Sequence, residues 1–128
     1  MDFEKARDVK NRVKKILQRI DFPYIDEKRI VCYRSFGSKS RARARIWSLP
    51  RIWQNALNVK SHYIIEVLNE KFDKLDENDK NKVLIHELLH IPRTFSGALL
   101  PHRGRGKLRI DNRLVEKLFK KFKCNLIV

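Results

Sequence analysis

The stretch from Val83 to Pro92, V-L-I-H-E-L-L-H-I-P, constrains this chain more than any other. Ten residues rich in Leu and Ile, closed by a proline, read as a helix that stops at Pro92. Residues four apart on a helix lie one turn above each other on the same face, so the side chains of His86 and His90 can reach one point. At 100° per residue, His86, Glu87 and His90 fall in one sector, with Val83 on the same side. Leu84, Ile85, Leu88, Leu89 and Ile91 cover the opposite arc. The pattern therefore describes a helix with one flank in a core and a His-Glu-His flank toward a cleft.

H-E-x-x-H is a metal-site pattern: two imidazole nitrogens hold a zinc ion, and the glutamate between them takes a proton from a water held there. With four His and seven Glu in 128 residues, chance supplies only about 0.007 such motifs. The plainer alternative, two hydrogen-bonded core histidines and an exposed glutamate, fits so apolar a helix less well. A third ligand has to come from elsewhere. His102 follows His90 across a loop with Gly97 and Pro101, Glu116 stands on the last helix, and Asp111 and His62 are weaker candidates. His102 is favoured over Glu116, because imidazole suits this donor set and the loop permits the return. The longer pattern H-E-x-x-H-x-x-G-x-x-H is excluded, because Arg93 and Ser96 stand where its Gly and His would be.

Charge is the second signal. Thirty Lys and Arg against 15 Asp and Glu give a net +15, which implies time spent near a polyanion such as DNA or RNA, or a solvated lysine-rich surface. Residues 41–48, R-A-R-A-R-I-W-S, alternate with Arg41, Arg43, Arg45 and Trp47 on one face. Such an arrangement can meet phosphates and stack on bases, although a plain exposed strand carries the same alternation. Arg103 and Arg105 lie beside His102, as contacts for a transition-state oxyanion or for a phosphate.

The remaining pattern is α+β. Apolar positions from Phe3 to Ile20 predict one helix over residues 2–20 that ends before Pro23. Residues 29–36 and 41–48, with a turn at 37–40, predict a β-hairpin. Residues 50–57 predict a short helix, and 59–68 a third strand, the expected edge for an extended substrate. Asp76 or Asn78 should cap the metal helix, and residues 111–122 should close the fold as an amphipathic helix. The length suits one domain spanning 1–128. No apolar run spans a membrane, the N-terminus has no apolar leader pattern, and Cys32 and Cys124 lack metal spacing. A cytoplasmic monomer is the expectation.

The stretch L-I-H-E-L-L-H-I-P-R-T-F-S-G-A-L-L-P-H-R-G-R-G resembles the small metallopeptidases of archaea and phages, and more distantly SprT-like zincin proteases. The match is strongest over residues 83–106, and the element order extends it over most of the chain. The resemblance implies a minimal zincin-like metalloprotease fold: an N-terminal helix, a small twisted sheet, the H-E-x-x-H helix and a closing C-terminal helix. It also implies zinc held by His86, His90 and His102, with Glu87 as general base. SprT-like proteins place their third ligand further downstream. The function expected is zinc-dependent hydrolysis of peptide bonds in a protein or peptide, near nucleic acid. The alternative is a basic nucleic-acid-binding module whose metal site is structural or inactive.

Overall fold

Tyr63–Leu68 (β4), reading Y-I-I-E-V-L, is almost wholly buried, and the sheet is built on both sides of it. A largely apolar run of this kind suits an internal strand. The computed structural model describes residues 2–102 and 110–124. Its four strands are Asp2–Lys5 (β1), Ile30–Phe36 (β2), Ala44–Ser48 (β3) and β4, in the order β1-β2-β4-β3. β2 runs parallel to β4, with Ile30 opposite Tyr63 and Ser35 opposite Leu68. β3 pairs antiparallel with β4, from Ala44 opposite Val67 to Ser48 opposite Tyr63.

Two expectations are corrected by this topology. The 29–36 and 41–48 segments are both largely strands, but they do not form a hairpin, because β4 lies between them. The connection from Gly37 to Arg43 is too long for a tight turn, and residues beyond β2 hold it. The Glu70 carboxylate accepts from Gly37 N and Ser38 N, both at 2.9 Å, and Arg43 O accepts from Leu68 N. It follows that β4 is not an edge available to a substrate; the edges are β1 and β3.

The N-terminal segment also divides. Residues 2–5 are not helical but form β1, antiparallel to β2 with Phe3 opposite Ser35. Phe3 happens to fall in phase with the helix that follows, yet it is exposed on the sheet. The helix proper is Arg7–Arg19 (α1), which buries Val9, Val13 and Ile16 against the sheet. Part of its basic face is used internally. Lys10 Nζ donates to the carbonyls of Glu27 and Ile30, and Arg12 pairs with Glu77 and Asn81.

Arg51–Leu57 (α2) is short and has no buried residue, and Asn69–Phe72 (α3) buries Phe72. Glu77–Leu89 (α4) is capped by Asp76, whose carboxylate accepts from Asp79 N at 2.8 Å. Leu84, Ile85 and Leu88 anchor α4 in the core. Asn112–Cys124 (α5) starts at Asp111, which accepts from Leu114 N, and packs Val115, Phe119 and Phe122 inward. The architecture is α+β. Both cysteines are free thiols, Cys32 buried and Cys124 exposed. Among the described residues no helix is long and apolar enough to cross a membrane.

Candidate metal centre

The last turn of α4 presents His86 and Glu87, and His90 follows as its C-cap, so the helix alone fixes three of the four residues singled out in sequence. The fourth is delivered by the loop that follows. Leu100 N donates to His90 O at 2.7 Å, and the imidazole Nδ1 of His90 lies 2.5 Å from Leu100 O. A carbonyl only accepts, so Nδ1 carries the proton and the lone pair of His90 sits on Nε2. This two-bond clamp brings His102, two residues further on, over the helix face.

The three rings converge. His86 Nε2 is 3.0 Å from His102 Nε2 and 3.4 Å from His90 Nε2, and one nitrogen from each ring lies within 4.8 Å of the others. Three nitrogens about 2.05 Å from one tetrahedral ion stand about 3.3 Å apart, so this donor set fits a single cation. The protonation states agree. Burial, reinforced by the neighbouring His90 and His102, pushes the His86 pKa down to about 4. Burial also lowers that of His90, against the opposing bond to Leu100 O. Both are therefore neutral donors at pH 7.

Glu87 is 7% exposed, and no hydrogen-bond donor or ion-pair partner among the described residues meets its carboxylate. Burial pushes its pKa up to about 7. It lines, with His86, Arg41, Arg43 and Lys82, a cleft of about 440 Å³ between β3, α4 and α5. A carboxyl group that exchanges its proton near neutrality, facing open volume beside three imidazoles, can act as a general base.

The other candidates are placed elsewhere. Glu116 lines the cleft but pairs with Lys82 at 2.8 Å, outside the histidine cluster. Asp111 is occupied as the cap of α5. His62 sits before β4 with Nδ1 2.7 Å from Lys60 O. Arg103 and Arg105 lie outside the described residues. The basic stripe divides, since strand pairing begins only at Ala44. Arg41 and Arg43 line the cleft, whereas Arg45 and Trp47 both bind the buried Glu66: Arg45 Nε at 3.0 Å and Trp47 Nε1 at 2.8 Å from Oε1.

Sequence reasoning missed the residues that brace the loop carrying His102. The Tyr63 hydroxyl accepts from Gly97 N at 2.8 Å and donates to Ala98 O at 2.9 Å. Ser61 Oγ donates to Phe95 O, and Gln54 Nε2 donates to Leu49 O and Ser96 O. Gly97 has φ +96°, and a Cβ there would lie 2.3 Å from Gln54 Nε2 and 2.5 Å from Leu49 O. The one available sequence signal was that glycine in the loop between His90 and His102.

The fold and site thus define an α+β protein with a three-histidine cluster that could hold a metal ion, beside a buried glutamate. Over residues 1–120 the chain matches the family model described as "Putative phage metallopeptidase", and it belongs to that family. Membership implies a metal-dependent peptidase acting on protein or peptide. No curated protein and no solved structure matches the chain significantly.

Proposed function

We propose that this chain is a single-domain, zincin-like zinc peptidase in which His86, His90 and His102 hold the ion and Glu87 is the general base. The observation that carries the reading is the convergence of three histidine nitrogens next to a buried glutamate that has no partner among the described residues. A bound zinc supplies Lewis acidity and brings the pKa of its water toward about 7. Glu87 takes a proton from water in the cleft and delivers it to the leaving amine, a role suited to a carboxyl group that titrates near neutrality. β3, an edge strand packed beside α4, offers its free edge to an extended peptide, which would lie along the cleft. The Leu100 carbonyl holds His90 in the tautomer that leaves Nε2 for the ion.

The second reading is a basic nucleic-acid module with a structural or inactive metal site, or a peptidase working near nucleic acid; it draws on the +15 charge and on Arg41 and Arg43, whose side chains have no partner among the described residues. Glu87→Gln separates a catalytic from a structural site. It should keep one zinc per chain and lower peptide cleavage by about 10²–10⁴-fold. Unchanged cleavage by the variant would remove Glu87 from the chemistry.

A further inference from the structure

We propose that Arg41 and Arg43 make the cleft selective for peptides that carry an aspartate or glutamate side chain beside the bond to be cut. The inference rests on the peptidase reading and adds to it the class of substrate.

Arg41 and Arg43 line the same cleft as His86 and Glu87. Neither side chain has a hydrogen bond or an ion pair among the described residues. The neighbouring charges do not answer them. Lys82 and Glu116 pair with each other at 2.8 Å. Asp79 also lines the cleft but stands seven residues before His86, about 10 Å down the axis of α4, and makes no ion pair among the described residues. Residues 103–109, R-G-R-G-K-L-R, contain no carboxylate.

Arg45, next in the same stripe, shows what a satisfied arginine looks like here, with two bonds to Glu66. Arg41 and Arg43 are left lining a concave volume with no partner among the described residues, and a planar guanidinium fork binds carboxylates bidentately. They lie immediately ahead of β3. A peptide paired with that edge would bring a side chain within the roughly 5 Å of a cross-strand neighbour. A nucleic-acid surface is less well served, because Arg45 and Trp47, the continuation of the stripe, are engaged with Glu66.

The test uses zinc-loaded full-length protein and matched fluorogenic peptides that differ only in Asp or Glu against Asn, Gln or Lys flanking the scissile bond. Binding of the same peptides to zinc-loaded Glu87→Gln, followed by calorimetry, gives a readout independent of turnover. The acidic peptides should be favoured by at least about tenfold in kcat/KM and in affinity. That ratio should fall toward one in Arg41→Gln/Arg43→Gln, and Arg43→Glu should move the preference toward Lys. Zinc content of each variant reports an intact site. Wild-type protein that cleaves acidic and neutral peptides equally would overturn the inference and leave the peptidase reading standing. A single-stranded oligonucleotide that binds more tightly than the acidic peptides, and depends on the same two arginines, would overturn it in favour of nucleic acid. Cleavage of no peptide by the zinc-loaded protein would sink the peptidase reading, and this inference with it.

Discussion

Tyr63→Phe removes one oxygen atom from the centre of the brace that holds the third histidine. The ring is fully buried and stacks edge-on against Phe95, with centroids 5.0 Å apart, so phenylalanine keeps the packing. What disappears is the acceptor for Gly97 N and the donor to Ala98 O. A buried amide left without a partner costs about 1–3 kcal/mol, and a partly solvated carbonyl less. The sum is about 2–3 kcal/mol, or a fall in Tm of about 10 °C for a chain of this size. Because Ala98 lies two residues before Leu100, loosening it also disturbs the clamp on His90. Zinc affinity should fall by about tenfold, the lower end for loss of a group that orients a ligand. Urea unfolding in chelator gives the first quantity, and competition against a chromophoric chelator gives the second. Stability unchanged to within experimental error would refute the hydrogen-bond argument. Lower stability with zinc affinity intact would show that Tyr63 supports the core without positioning the site.

Three further outcomes are expected. His86→Ala and His102→Ala should abolish stoichiometric zinc, whereas Glu116→Ala should retain it, as read by metal analysis of the purified proteins. In chelator, Glu87→Gln should be more stable than wild type at alkaline pH. The carboxyl pKa is raised from the ordinary 4.5 to about 7, so its burial costs nothing below 4.5 and reaches its full cost, about 3 kcal/mol at most, above 7. Denaturation profiles that stay parallel from pH 4 to 8 would contradict this. Burial alone would raise the Glu66 pKa, but donors led by Arg45 outweigh it and hold it below the usual range. That contribution is present above pH 4.5 and lost as pH falls through the lowered value. Arg45→Ala should therefore cost about 2 kcal/mol at neutral pH and progressively less in acid, measured by thermal unfolding.

The part of the site written on one helix was legible because covalent geometry fixes it. Residues four apart must share a face, whatever the rest of the chain does. His102 could be proposed but not placed, because its position depends on a backbone carbonyl at Leu100, and backbone groups leave no mark in residue identity. Tyr63, Ser61 and Gln54 were invisible as braces for the same reason: each bonds main-chain atoms of residues 95–98. In the sheet, alternation correctly marked most of β2, β3 and β4 as extended, but it cannot say which strand lies beside which. The nearest partner in sequence was assumed, and β4 took that place. Phe3 misled differently, since one exposed aromatic in helical phase extended α1 over four residues that pair with β2.

The position of β4 between β2 and β3 has a consequence for how the chain reaches its native state. β2 and β3 run in opposite directions and are complete before β4 has been synthesised. A hairpin with β2 is thus the first pairing available to β3, and it is a wrong one. Nothing local forbids it, because Glu70, which ties down Gly37 and Ser38, follows β4. The native contacts then form in order of their separation. Ser48 meets Tyr63 across 15 residues and Ile30 meets Tyr63 across 33, a difference in loop-closure entropy of about 0.7 kcal/mol. Residues that shorten the 37–43 connection would stabilise the trap, so the length of this segment acts as a kinetic safeguard on the strand order.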